Sequence, residues 1–334
     1  MTAKQVDILN LLLIIVSLLV AFYLPFQLFL FSYAVLGPLH YLTEIHWLNK
    51  KNFFVADKQW VIVLLIASVI MFIPIMLLLP LFTWLYNMYF VKQIILTMAR
   101  CYTILLLLSL IFAAVLVLLK KATNYFFWLI AGIVVSALVL KFVPFAYVLF
   151  GIFLPTIIHV YLFTLLFMIY GALSIKTTWG IANIIGLIIC PIIIILWPIN
   201  AVNYLLSDAT KVIFAESGFN RLAIYLAKLF GNNLQRPLLN LSVIGIKVQI
   251  FIAFCYTYHY LNWFSKTSVI GWGKQIATFN ALAIIIIWLF AVALYWHNYA
   301  LGFKVLAFLS ILHVLLEFPL NIISIKAIVS KVFS

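Results

Sequence analysis

Two glutamates and two histidines sit inside apolar segments of this chain, where side chains that charge are costly. His40 precedes Glu44 by four residues, and His313 precedes Glu317 by the same spacing. Four residues are about 400° of α-helix, so each pair shares a helix face one turn apart. Ser310 and Asn321 extend the second pair into a polar stripe. A charge at the centre of a bilayer costs on the order of 3 kcal/mol even on lenient insertion scales. Such residues are functional candidates and need partners. Two more imidazoles stand in apolar surroundings, His259 in Tyr258-His259-Tyr260-Leu261-Asn262-Trp263 and His159 in Pro155-Thr156-Ile157-Ile158-His159. Imidazole and carboxylate together suit iron, zinc or manganese. The metal reading takes His40, His259, His313 and His159 as ligands and Fe(II) as the ion. Glu44 and Glu317 then act as catalytic groups that either bind the metal or orient a ligand. In this reading His40 and Glu44 would face His313 and Glu317 across helices. Two other readings stay open: interhelical hydrogen-bonded pairing, and a proton or ion relay. His46 points away from the first pair and could serve the membrane edge. His297, beside Tyr295 and Trp296, reads as an interface anchor.

The elements that must position these groups follow from composition. Of 334 residues 68% are hydrophobic and 8% charged, against about 25% charged in soluble domains. No soluble domain of this size could hide so much apolar surface, so lipid is the consistent solvent. In lipid the backbone must satisfy itself, in helices or in a closed barrel. The apolar runs are continuous over about twenty residues, which fits helices. The expected fold is all-α: a polytopic transmembrane bundle of about ten helices, at 8–23, 26–48, 60–81, 94–119, 125–140, 154–173, 179–199, 242–263, 275–296 and 301–322. Leu24-Pro25 makes the first two a tight hairpin. Pro74 and Pro80 kink the third or end it early. Residues 142–153 are too short to span; they form a re-entrant piece or extend the sixth helix through Pro155.

The whole chain, 1–334, reads as one integral membrane domain. The long connection 200–240 holds Lys211, Arg221, Lys228 and Arg236 beside Leu222, Leu226, Leu229 and Phe230. That pattern suggests an amphipathic helix at the membrane surface, ended by Gly231. The net charge of +14 comes from basic residues placed singly or in pairs between apolar runs, and no nucleic-acid motif accompanies them. Lys4, Lys50, Lys51, Lys58, Lys120, Lys121, Lys176, Lys266, Lys274, Lys326 and Lys331 collect on one side, so both termini are expected in the cytoplasm, in a bacterial inner membrane. With that topology His40, Glu44, His259, His313 and Glu317 fall in the inner half of the membrane or near its middle, and His159 nearer the outer side. No small-residue cleavage site follows the run from Ile8, which implies a retained first helix. Cys101, Cys190 and Cys255 lie apart in apolar segments and read as free thiols. No P-loop, dinucleotide-binding glycine motif, HExxH or Gly-x-Ser-x-Gly occurs, and no internal repeat of the kind transporters carry.

The stretch Gly37-Pro38-Leu39-His40-Tyr41-Leu42-Thr43-Glu44 resembles the Pro-His-Gly-x-x-Asp signature of the bacterial Brp/Blh β-carotene dioxygenases. Their later His-Ser-Leu-Arg-His motif resembles His259-Tyr260-Leu261-Asn262-Trp263, with Trp263 where the second histidine would be. The resemblance implies a polytopic enzyme with histidine-bound iron, to which His40 and His259 carry over. His159 or His313 would then replace the ligands this chain lacks. The implied function is a metal-dependent oxygenase or oxidoreductase acting on a lipophilic small molecule such as a carotenoid or other isoprenoid. The bilayer is the expected partner and nucleic acid is not. A transporter or proton relay using the same pairs is the alternative.

Overall fold

In a computed structural model the described residues are 1–55, 59–119, 124–204, 206–229, 231, 242–266, 271 and 278–332. Asp57, Lys58, Lys120, Lys121, Phe230, Arg236, Lys274 and the start of the ninth expected helix lie outside them. Every regular element among the described residues is helical. The main helices are α1 (Ala3–Tyr23), α2 (Pro25–Lys50), α3 (Gln59–Met76), α4 (Tyr89–Leu119), α5 (Tyr125–Phe142), α6 (Ala146–Ile175), α7 (Thr178–Leu196), α8 (Asp208–Ser217), α9 (Asn220–Leu229), α10 (Val243–Ser265), α11 (Thr278–His297) and α12 (Tyr299–Val332).

Each of the ten apolar runs overlaps a helix, but seven helices are long and apolar enough to cross a membrane: α1, α2, α4, α6, α7, α11 and α12. The protein is therefore a multi-pass membrane protein, with the ten-span count met only in part. Three helices fall short for physical reasons. α3 contains Pro74, ends at Met76 and is followed by a 3-10 turn from Pro80. α5 is also short. α10 is long enough but rich in polar and tyrosine side chains, and 16 of its 23 residues are buried. A helix enclosed by protein need not be apolar all round. α11 is the opposite: two of its 20 residues are buried, as suits a helix facing lipid.

Local chemistry sets the helix ends. Thr2 and Gln5 form a capping box on α1. Leu24 alone separates α1 from α2, which begins with Pro25 at its first turn. Ser242 caps α10 by accepting from the Gly245 amide. Two stretches are π-helical, Ser32–Leu36 within α2 and Leu149–Phe163 within α6. The second contains Pro155, which cannot donate a backbone hydrogen bond and crowds the preceding turn. Residues 146–153 thus extend the sixth helix; they are not a re-entrant piece. Wide turns of this kind favour functional sites, and His40 and His159 lie close to or within them.

The chain divides into two compact units. The first comprises Met1–His40 and Val160–Ala300. Its centre is α10, packed by α1, the start of α2, α7 and α9. Polar side chains lock that packing. Ser32 and Thr257 hydroxyls meet at 2.7 Å. Ser265 Oγ donates to Asn10 Oδ1 at 3.0 Å. Gln249 Nε2 donates to the Pro25 carbonyl at 3.2 Å. Trp288 Nε1 donates at 2.8 Å to the carbonyl of Val35 in the π turn. At the start of α7, Thr177 caps the helix and donates to Asp7 Oδ2 on α1. In the amphipathic α9, Leu222, Ala223, Leu226 and Ala227 are buried, and the helix packs on α10. Its apolar face is thus turned to protein. Gly231 has a positive φ of 73°, which glycine adopts readily.

The second unit comprises Tyr41–His159 and Leu301–Ser334. α4 packs between α3 and α5, with Trp60 against Phe112 at 4.8 Å between ring centroids. Phe72 meets Phe308 of α12 at 5.6 Å. Gly151 in the π stretch lies so close to α4 that a Cβ there would come within 2.5 Å of Thr103 Oγ1. α12 has 34 residues, about 51 Å of helix at 1.5 Å per residue, well beyond a hydrocarbon core of about 30 Å.

Candidate metal centre

Four of the six histidines are buried, with exposures of 1% at His40, 2% at His159, 6% at His259 and 2% at His313. Glu44 and Glu317 are buried as well. His297, at the end of α11, is exposed, and His46 is half-buried.

In the first unit His40 of α2 meets His259 of α10, with Nε2 to Nε2 at 3.1 Å. The rings lie edge to face. Tyr260 and Trp263 also pack on His40, at 5.1 and 5.5 Å between centroids. Trp263 thus contributes a wall beside His40. The hydrogen bonds fix the tautomer of His259. The Thr164 hydroxyl donates its one proton to the Val160 carbonyl at 3.0 Å. It must therefore accept from His259, whose Nδ1 lies 2.8 Å away. His259 carries its proton on Nδ1 and turns the Nε2 lone pair toward His40.

The second unit repeats the arrangement with different residues. His159 of α6 meets His313 of α12, again Nε2 to Nε2 at 3.1 Å. His313 Nδ1 donates to the Leu309 carbonyl at 3.3 Å. A carbonyl only accepts, so the His313 lone pair is on Nε2 and faces His159. Tyr41 stacks on His313 at 4.1 Å. Glu317 Oε2 lies 3.2 Å from His159 Nδ1, and Glu317 adjoins Glu44 and Asn321. His159 was expected nearer the outer side of the membrane. The helix that carries it starts at Ala146, earlier than the expected 154–173 run, and His159 pairs with His313.

Each pair therefore presents at least one Nε2 lone pair to a second Nε2 at 3.1 Å. Two lone pairs cannot face each other at that distance without a positive group between them. Either the second ring donates a proton, or both nitrogens bind one cation. Two imidazole nitrogens held at right angles to one ion, at about 2.1 Å each, would stand about 3.0 Å apart. The donor set of each pair, two buried imidazole nitrogens, suits a metal ion, and the neutral Nδ1–H tautomer is the form that leaves Nε2 free to ligate.

Thr164 and Tyr41 were not singled out from the sequence. A threonine in an apolar helix usually bonds the carbonyl one turn back, as Thr164 also does. Nothing local marks the one that holds a histidine in addition. Tyr41 does adjoin His40, which is the one signal that could have found it.

No known family model matches the chain, and no curated protein and no solved structure is similar to it.

Proposed function

We propose that this multi-pass membrane protein is a metal-dependent, non-haem iron oxygenase or related oxidoreductase. Its substrate would be dissolved in the bilayer, a carotenoid or other isoprenoid. The observation that carries the reading is the repeated meeting of two buried histidine Nε2 atoms at 3.1 Å, once in each unit. One hydrogen-bonded pair of histidines is ordinary packing. Two pairs, each with a lone pair directed by a partner at Nδ1, match how ligand histidines are oriented in metal sites. Iron bound there would supply dioxygen chemistry, since imidazole and carboxylate with open positions suit iron(II). The protein's own part is orientation and exclusion of water. Thr164 holds the His259 ring, Glu317 flanks His159, and Tyr260, Trp263 and Tyr41 present ring faces and edges around the imidazoles. The likeness of His40 and His259 to the Brp/Blh motifs supports a carotenoid-sized substrate. The lysine distribution supports both termini in the cytoplasm, and reporters fused to each end would test it.

The test is elemental analysis of protein purified in detergent, beside the His40→Ala and His313→Ala variants. Stoichiometric iron lost in both is expected. A well-folded wild type that holds no metal, and gains none when iron(II) is added under reducing conditions, would end the reading. A relay or transporter draws support from one specific observation, the meeting of Glu44 and Glu317 inside an apolar unit. Proton flux across proteoliposomes, abolished by Glu317→Gln, would favour it.

A further inference from the structure

In the first unit a line of tyrosine rings leads from the histidine pair to an exposed helix end. Tyr260 lies 5.1 Å from His40 and 5.5 Å from His259 between ring centroids. Tyr256, one turn back on α10, is 6.2 Å from Tyr260. Tyr33 of α2 follows at 6.0 Å, Tyr295 of α11 at 6.5 Å, and Tyr299 at the start of α12 at 4.8 Å. The first four are buried. Tyr299 is half-buried, its hydroxyl donates to the Leu30 carbonyl at 3.0 Å, and exposed Trp296, His297 and Asn298 precede it. Tyrosines of membrane proteins normally collect at the lipid–water interface. These instead run inward from one helix end to the imidazoles. Burying a phenol hydroxyl costs free energy that must be offset by a partner. Phenylalanine fills the same space without that cost, as Phe29 and Phe219 do alongside Tyr33. Tyrosine at every step of the line therefore asks for a reason beyond packing. The chemical difference is that a phenol gives an electron to a strong oxidant and a benzene ring does not.

We infer that Tyr260, Tyr256, Tyr33, Tyr295 and Tyr299 form a hole-hopping line that carries oxidising equivalents from the first histidine pair to the surface, where a soluble thiol discharges them. Rings whose centres stand this close have edges near contact, which is the range for electron hops between them. The oxidant is a peroxide reduced beside His40 and His259 when no substrate is there to take the oxygen. Tyr260 gives one electron inward and passes its phenolic proton to its hydrogen-bond acceptor. The radical then takes an electron from Tyr256 and regains the proton, and the same exchange repeats outward to Tyr299. There a thiol supplies the electron. One peroxide and two thiols give two waters and one disulfide, and the two protons that the thiols release equal the two that peroxide consumes. The inference rests on the proposed metal reading for its oxidant; the line of rings stands without it.

The test uses the full-length protein in detergent, with no iron added. A ruthenium polypyridyl complex is attached to the exposed His297, and a flash with a soluble quencher turns it into a strong one-electron oxidant beside Tyr299. A nitroso spin trap marks each tyrosyl radical covalently, and peptide mass spectrometry locates the adducts. His297→Gln protein treated alike gives the background. Adducts are expected along the whole line in wild type. Tyr33→Phe, which keeps the ring and removes one hydroxyl, is expected to lower adducts on Tyr256 and Tyr260 by about tenfold and to leave those on Tyr295 and Tyr299. Tyr256→Phe is expected to move the break inward, so that Tyr33 keeps its adducts and Tyr260 loses them. With iron(II) loaded and hydrogen peroxide added, the tyrosyl signal in electron paramagnetic resonance should be quenched by a soluble thiol about tenfold more slowly in Tyr33→Phe than in wild type. Adducts confined to Tyr295 and Tyr299 in wild type, or reaching Tyr260 equally in both variants, would overturn the inference and leave the rings as packing. Adducts that reach Tyr260 as expected in a protein that binds no iron would end the metal reading and leave the line standing. Iron held by the histidines with adducts confined to the exposed end would do the reverse.

Discussion

The first unit joins His40 and His259 with a neutral neighbour, the Thr164 hydroxyl; the second joins His159 and His313 beside two carboxylates. The separation between nitrogens is the same 3.1 Å, so ligation geometry does not distinguish them. What differs is the charge next to the imidazole. A hydroxyl fixes a ring's direction and leaves its basicity nearly unchanged. A carboxylate fixes direction and also raises basicity, strengthening the bond to a cation. The second unit should therefore hold positive charge more firmly, and the first should be the more easily emptied.

The largest effect should come from removing a ligand on each side. His259→Ala and His313→Ala should each cost stoichiometric metal, read by elemental analysis. The comparison breaks if one of them leaves the count unchanged, because that pair would then be hydrogen-bonding glue.

Removing the neighbours should sharpen it. Glu317→Gln and Thr164→Val should each weaken metal affinity by about 10–100-fold, with Glu317→Gln the larger. Competition with a chelator of known affinity reads the ratio. Equal losses would mean that orientation alone matters. Thr164→Ser should restore most of the affinity, since it keeps the acceptor.

A smaller effect tests whether the packing of α10 is what sets the first pair. Ser265→Ala removes the shorter of two donors to buried Asn10 Oδ1, leaving Tyr258 at 3.5 Å. It should cost about 1–2 kcal/mol, read as a lower melting temperature in detergent, with metal bound to the second pair unchanged.

A pH-dependent effect lies at the end of α10. Burial holds the Lys266 ammonium down to about 8 from its ordinary 10.5, with Asp7 opposing the shift. A lysine lowered on folding binds its proton more weakly in the native state. Between about pH 8 and 10.5 the unfolded chain then carries the extra proton, so stability rises with pH across that window. Lys266→Met should flatten this slope in thermal melts recorded across it. A slope that persists in the variant would assign it to another group.

Much of the fold was legible from one-dimensional facts. Lipid removes water as a hydrogen-bonding partner, so long apolar runs must be helices, and their rough bounds follow, although seven and not ten are long and apolar enough to span. The His40–Glu44 and His313–Glu317 spacings likewise made face-sharing a local property of one helix. Periodicity could not show that α10 is enclosed. Its Gln249, Thr257, His259 and Asn262 are tolerated because neighbouring helices bury and bond several of them, and that enclosure is a property of the neighbours.

The sequence by itself thus determined that costly imidazoles and carboxylates sit on membrane helices, because each is read against the apolar residues beside it. Only the tertiary structure decided their partners. His40 meets His259 across 219 residues of chain, and His159 meets His313 across 154. It also decided that Thr164 serves a histidine and that Trp263 serves as a wall. Those choices depend on which helices pack and at what rotation. Rotating a helix by one residue turns a side chain by about 100°, enough to send an imidazole to lipid, and a single sequence holds no local record of that angle.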